Sequence, residues 1–214
     1  SPSTAVILAA GKGTRMRSSK PKVLHEVCGK AMLSWCIEAA ETVCDNVLVV
    51  LGHKREEVRC FLSENTLEAI QDPPRGTGDA LRVASQKLTA AGTLLVLPSD
   101  APLIKSTTLA RLLECHGDAL CTVLTAHIEP HESATSGYGR IVRDSTGRCL
   151  KIVEVAHASK EEKAITEVNT GIYAFDAAWL FEKVLPFLEA HPPKGEYYLT
   201  DAIEKASELG GLNA

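Results

Sequence analysis

Several features are absent from this sequence, and each absence removes a class of function. Aromatic residues make up only 5% of the 214 positions and the net charge is −4. A protein with few aromatics and no overall basic excess lacks the footprint of a nucleic-acid binder, so any basic site must be local. No apolar stretch approaches the roughly 20 residues of a membrane-spanning helix. The opening "SPST" shows no charged segment followed by an apolar one, so no secretory leader is expected. The expectation is a cytoplasmic protein without a membrane partner. The seven cysteines (28, 36, 44, 60, 115, 121 and 149) include no C-x-x-C pair, and an odd count does not suit a disulfide frame. Cys36 and Cys60 fall within apolar patterns and are expected to be buried free thiols. No H-E-x-x-H, Cys/His cluster or G-x-S-x-G elbow occurs, so zinc hydrolysis and acyl hydrolysis have no support. His127 and His131 are four apart, but Pro130 between them disfavours a shared helical face.

What is present is an ordinary globular composition, 45% hydrophobic and 23% charged. In the first half, apolar runs alternate with helical periodicity. Thr4–Leu8, "NVLVVLG" (46–52), "LEAIQ" (67–71) and "TLLVLPSD" (93–100) read as strands. The continuous apolar runs suit strands buried on both faces. Helices are predicted over 31–43, over "REEVRCFLSE" (55–64), over "GDALRVASQKLTAA" (78–91), and over "STTLARLLECHG" (106–117) with a Ser/Thr cap. This rhythm predicts an α/β domain, a mostly parallel sheet with helices on both faces. The second half changes character. A strand (119–128), a hairpin around "STG" (145–147), a further strand (169–176), a helix interrupted by Pro186 and a last helix ended by Gly210-Gly211 predict an antiparallel lobe on that sheet. The "SKEEK" run (159–163) reads as a solvated loop.

Four segments could carry chemistry. "GKGTRM" (11–16) follows the first strand, but Met16 replaces the third glycine of a dinucleotide fingerprint and no G-K-[ST] follows. What remains is a loop whose glycines let backbone N–H groups approach phosphate, with Arg15 and Lys22 as added charges; an ordinary strand–helix turn is the alternative. Asp100 ends a buried strand on the same predicted rim, where it could hold Mg²⁺ together with phosphate oxygens, or else order the turn into the next helix. Gln71 and "RGTGDA" (75–80) suit the edge of a base, or form a plain connection. "GYGR" (137–140), Glu154, "EVNTG" (167–171) and "GEYYLTD" (195–201) place polar groups that could read sugar hydroxyls.

Taken in order, "LAAGKGTRM", "KPKVLHEVCGKAM", Gln71 with "GTG", "DAPLI", "GYGRI", "IVE", "EVNTGI" and "GEYYLTD" resemble the sugar-nucleotide pyrophosphorylases over 4–209. More narrowly, they resemble the uridyltransferase domain of the bifunctional bacterial N-acetylglucosamine-1-phosphate uridyltransferase/glucosamine-1-phosphate acetyltransferases. The resemblance implies a Rossmann-like nucleotidyltransferase fold with a mostly parallel central sheet and an antiparallel sugar-binding lobe. It implies one domain over 1–214, with 1–118 mainly for the nucleotide and 119–214 mainly for the sugar. The implied reaction joins UTP and N-acetylglucosamine-1-phosphate into UDP-N-acetylglucosamine and pyrophosphate, with Mg²⁺ as cofactor. Leu8, Ala9, Ala10, Gly11, Gly13, Gln71, Gly76 and Thr77 would hold the uridine nucleotide. Arg15 and Lys22 would be catalytic, on the phosphates, and Asp100 would bind the metal. Gly139, Glu154, Asn169, Tyr198 and Thr200 would line the sugar site.

The chain departs from the family at Pro98-Ser99, where Tyr-Gly is usual, and at Val155-Ala156-His157-Ala158, where His-Lys-Asp-Ala is frequent. The family's second metal ligand, an Asn, would fall beyond Ala214. So would the β-helix acetyltransferase domain, on which a homo-oligomer would depend. A sister enzyme using another sugar phosphate or NTP, and a non-catalytic nucleotide-binding relative, remain as alternatives.

Overall fold

The computed structural model describes residues 2–11, 13, 16, 18–133, 135–190 and 195–214. Arg15, Lys12 and Arg17 therefore lie outside the described residues. The predicted parallel strands form as β1 (Ser3–Ala9), β4 (Asn46–Leu51), β5 (Leu67–Ile70) and β6 (Thr93–Pro98). Two two-residue strands, β2 (Glu26–Val27) and β3 (Lys30–Ala31), form a small hairpin between the first two of them. Further along come β7 (Cys121–His127), β8 (Arg140–Arg143), β9 (Cys149–Val153), β10 (Glu167–Asp176) and β11 (Leu212–Asn213). The main sheet runs β11-β7-β10-β6-β1-β4-β5, and β8 and β9 continue it from the start of β10. β1, β4, β5 and β6 are mutually parallel, so their carboxyl ends share one rim. β10 is antiparallel to β6 and brings its N-terminal end to that same rim.

Alternation along each strand explains why these runs are continuously apolar. In β1, Val6 faces one core cluster and Ala5, Ile7 and Ala9 the other. Leu48 and Val50 oppose Val47, Val49 and Leu51 in the same way, as the period-2 geometry of a strand requires. α1 (Met32–Glu41), α2 (Arg55–Arg59) and α4 (Ser106–His116) cover one face through Leu33, Ile37, Val58, Leu109 and Leu112. α3 (Thr77–Ser85) and α7 (Thr200–Glu208) cover the other through Leu81, Ala84, Ala202, Ile203 and Ala206. Burying a side chain such as Leu81 contributes about 1.5–3 kcal/mol. The fold is thus the α/β arrangement expected, with a second half that is antiparallel except for the short β11 beside β7.

Several details differ from the sequence reading. α4 has no Ser or Thr cap, because extended Lys105 occupies the cap position without a side-chain cap bond. α3 stops at Ser85, whose Oγ donates to the Arg82 carbonyl at 2.8 Å. "SKEEK" is not a loop but a helical turn, α6 (Lys160–Lys163); Ser159 and Glu162 exchange reciprocal capping bonds, so even this exposed turn is ordered. One more turn, α5 (Pro130–Ser133), precedes the hairpin. A π-helical turn (Trp179–Val184) gives way to a 3₁₀ turn (Leu185–Phe187) whose second residue is Pro186, which supplies no N–H to continue the ladder. Cys36, Cys121 and Cys149 are buried free thiols, but Cys60 is exposed: α2 turns Val58 inward instead.

Candidate active site

The shared rim carries two clefts that meet at the loop after β1. Both are lined by Leu8, Gly11 and Gly13. The first, of about 710 Å³, adds Met16, Lys22, Ser99, Asp100, Gly137 and Tyr138. The second, of about 630 Å³, adds Ala10, Gln71, Gly76, Thr77, Glu154, Asn169, Tyr173, Glu196 and Thr200 among others.

In the first cleft, Lys22 and Asp100 form a direct ion pair across 78 residues of sequence. Each is about one-third exposed, at 34% and 35% of the side chain. Asp100 is therefore not a helix cap. It leaves the end of β6 and meets the cation that follows Pro21, whose 3₁₀ turn (Lys22–Leu24) is anchored by buried Val23 and Leu24. Gly13 adopts a φ of +59°, and a Cβ there would lie 2.5 Å from that of Lys22. The left-handed backbone and the close approach both require glycine. Ser99, at the Gly position of the resemblance, donates from Oγ to the Leu8 carbonyl at 2.7 Å and ties β6 to the loop.

The second cleft is built from groups already hydrogen-bonded to the protein. Gln71, 3% exposed, donates through Nε2 to the Gly76 carbonyl at 3.0 Å and to Asp79 Oδ2 at 2.9 Å. Thr77 Oγ1 accepts from Leu199 N at 3.0 Å, and Gly78 N donates to the Tyr197 carbonyl at 2.8 Å, so α3 and the segment before α7 are stitched together. Asn169 donates to the Tyr173 hydroxyl at 2.6 Å and accepts from Gly171 N at 3.0 Å. Burial of Tyr173 pushes its phenol well above the usual range. Thr200 Oγ1 donates to Glu154 Oε1 at 3.3 Å.

Three expected residues line neither cleft. Ala9, 3% exposed, turns its methyl into the core on the face opposite Leu8 and Ala10, as alternation along a strand requires. Gly139 acts as a spacer: its carbonyl accepts from Asn169 N at 2.9 Å, and a Cβ there would come 3.0 Å from Ile152. Tyr198 sits beside the second cleft, its phenol pushed up by burial and by Glu196 and Glu154. Arg15 lies outside the described residues. Ser99's link, Tyr173 and Asp79 carry no clear sequence signal; only a polar residue in an apolar strand (Tyr173) or in the first turn of a helix (Asp79) hints at two of them.

The MobA-like NTP transferase domain family matches residues 5–209. The chain belongs to this family. Among similar proteins of the family, the bifunctional protein GlmU of Thermoanaerobacter pseudethanolicus is 43% identical over 210 residues, covering 96% of this chain and 45% of that protein. GlmU of Pelotomaculum thermopropionicum is 47% identical over 204 residues, covering 94% and 44%. The chain thus spans a little under half the length of these curated relatives. A crystal structure of UDP-glucose pyrophosphorylase complexed with UDP-glucose superposes with a TM-score of 0.79 at 17% identity, covering 97% of this chain and 88% of that one. That likeness shows the nucleotidyltransferase fold. No helix among the described residues is long and apolar enough to cross a membrane.

Family membership raises the question of a divalent metal. Among the described residues, no group of three or more His, Cys, Asp and Glu side chains could hold one. Asp100 is the one acidic side chain lining the first cleft among the described residues. A single carboxylate paired with Lys22 does not make a resident metal site, but it fits a hard cation that arrives already carried by phosphate oxygens.

Proposed function

We propose that the chain transfers the uridylyl group of UTP to N-acetylglucosamine-1-phosphate, giving UDP-N-acetylglucosamine and pyrophosphate. The observation that carries this reading is the junction of the two clefts at Leu8, Gly11 and Gly13. On one side lie a lysine and a carboxylate; on the other lie amide and hydroxyl groups suited to a base and a sugar. The reacting phosphate belongs at that junction. The choice of substrates rests on the ordered motifs and on the GlmU relatives. The division into 1–118 for the nucleotide and 119–214 for the sugar is part of the same proposal.

The chemistry suits the residues. A sugar phosphate is mostly dianionic at neutral pH, with a second pKa of about 6. One of its oxygens attacks the α-phosphorus of UTP. A new O–P bond forms, the bond to the bridging α–β oxygen breaks, and pyrophosphate leaves with that electron pair. No proton has to move, which accounts for the lack of a general base in the motifs. Catalysis is then positioning and charge neutralisation. Lys22, released from Asp100, would stabilise the leaving pyrophosphate, with Arg15 as its proposed partner. Gly11 and Gly13 would offer backbone N–H groups to the phosphates. Glu154, Asn169 and Thr200 would fix the sugar, and Tyr198 would stand beside them. Asp100 would hold Mg²⁺ brought in by the triphosphate; when bound, that ion supplies further neutralisation of phosphate charge. The cytoplasm is the proposed compartment.

The test is pyrophosphate release by the purified chain offered each of the four NTPs with several sugar-1-phosphates. Release with UTP and N-acetylglucosamine-1-phosphate above all other pairs is expected. Preference for another pair would replace the substrates, and nucleotide binding without turnover would replace the reaction.

A further inference from the structure

The orientation of the Gln71 amide is fixed by two partners that can only accept. Its Nε2 lies 3.0 Å from the Gly76 carbonyl and 2.9 Å from a carboxylate oxygen of Asp79. A flipped amide would press its own oxygen against both. Two acceptors therefore place the NH₂ group unambiguously and commit both of its hydrogens. The side chain is 3% exposed and lines the second cleft, so Oε1 is the atom it has left for a ligand. Asp79 is itself held: it sits in the first turn of α3, only 16% exposed at the side chain, with Arg82 Nη1 3.8 Å away.

We infer that Asp79 is a positioning residue that sets base selectivity, by holding Gln71 so that only an acceptor faces the base. This rests on the uridylyl-transfer reading. Uracil has one donor on its pairing edge, N3–H, between two carbonyl oxygens. Cytosine carries a bare nitrogen acceptor at N3. An oxygen fixed opposite that position attracts uracil and repels cytosine. A glutamine free to flip would present oxygen to one base and NH₂ to the other and would discriminate poorly. Sites built to hydrogen-bond a donor reject the analogue lacking it far better than apolar pockets reject a change of size.

The experiment is calorimetric titration of the wild type, Asp79→Asn, Gln71→Ala and the double variant with UTP and with CTP, with magnesium present. Asparagine has the size of aspartate but can donate as well as accept, so it removes one of the two acceptors that bias the amide, leaving only the Gly76 carbonyl, without opening a cavity. The wild type is expected to bind UTP at least tenfold more tightly than CTP. In Asp79→Asn that ratio should fall about tenfold, mainly through tighter CTP binding, the scale of one hydrogen bond made or lost. In the Gln71→Ala background, Asp79→Asn should leave the ratio unchanged. A purely structural role for Asp79 would weaken both nucleotides alike. An unchanged ratio in Asp79→Asn, or equal effects with and without Gln71, overturns the inference while leaving uridylyl transfer intact. A wild type that binds neither nucleotide, or prefers CTP, overturns both. Loss of turnover with the selectivity pattern retained would count against the reaction only.

Discussion

The two clefts that meet at Gly11 and Gly13 are held in opposite ways. In the first, the charged groups are paired with each other, Lys22 on Asp100, and a phosphate ligand must separate them. In the second, Gln71, Thr77, Asn169 and Thr200 are each already bonded to another part of the protein and need not move. On the proposed function, the first cleft is a self-neutralised switch for phosphate and the second a preorganised template for base and sugar. The difference has a physical cause. Two opposite charges left apart in a partly wet cleft attract each other until a better partner arrives, whereas buried neutral polar groups such as Gln71 and Thr200 must be satisfied at folding or cost free energy.

This contrast can be broken from either side. The largest effect is expected on the charged side. Lys22→Met should lower kcat by about 10²–10³-fold, the scale of losing one donor to a charge that develops in the transition state. Its melting temperature should stay close to wild type, since a partly exposed pair contributes about 0–1 kcal/mol. Steady-state kinetics beside a thermal melt decides this. Next, Asn169→Ala should raise KM for the sugar phosphate about tenfold and leave KM for UTP unchanged, as one preorganised contact is worth about 1–1.5 kcal/mol. A parallel rise in both would show the template is not divided as described. Smaller again, Asp100→Asn should tighten UTP binding in EDTA by about threefold, because Lys22 no longer has a carboxylate to leave; it should also weaken the gain that magnesium brings. Calorimetry with and without the metal measures both.

The smallest effect lies outside both clefts and serves as a reference. His116 is 3% exposed, its Nδ1 is 2.9 Å from Thr122 Oγ1, and burial lowers its pKa below the ordinary value. The unfolded chain therefore takes up a proton, near pH 6.5, before the folded one does. Its contribution is complete above that pH and is lost as pH falls toward the depressed folded value. Urea denaturation from pH 7.5 to 5.5 should show stability declining below about pH 6.5, and His116→Gln should flatten that decline without changing nucleotide binding.

How much of this could be read from the sequence follows the same division. β1, β4 and β6 announce themselves because strands covered on both faces must be apolar throughout, and their parallel pairing puts the ends at Leu8 and Asp100 on one rim. That much brought Lys22, Asp100 and the glycine loop together. The second cleft is less legible. Gln71 and Asn169 could be picked out, but Asp79 and Tyr173, which hold them, could not: nothing in a local pattern says which carboxylate a buried amide will meet. Ala9 lines neither cleft for a simpler reason, since neighbours on a strand point to opposite faces. Cys60 and the uncapped start of α4 show how tertiary packing decides between faces and caps that a helical pattern leaves equivalent. The short β2, β3 and β11 span two residues each, too few for any period to appear.

The central claim is that a sugar-phosphate oxygen attacks the α-phosphorus at the junction of the clefts. It is tested most directly by giving the purified chain UTP and N-acetylglucosamine-1-phosphate labelled with ¹⁸O in its phosphate, then weighing the products. The account expects every labelled oxygen in UDP-N-acetylglucosamine and none in pyrophosphate, with no product when the sugar phosphate is left out. Label in the pyrophosphate, or UTP cleavage that proceeds without the sugar phosphate, would contradict it.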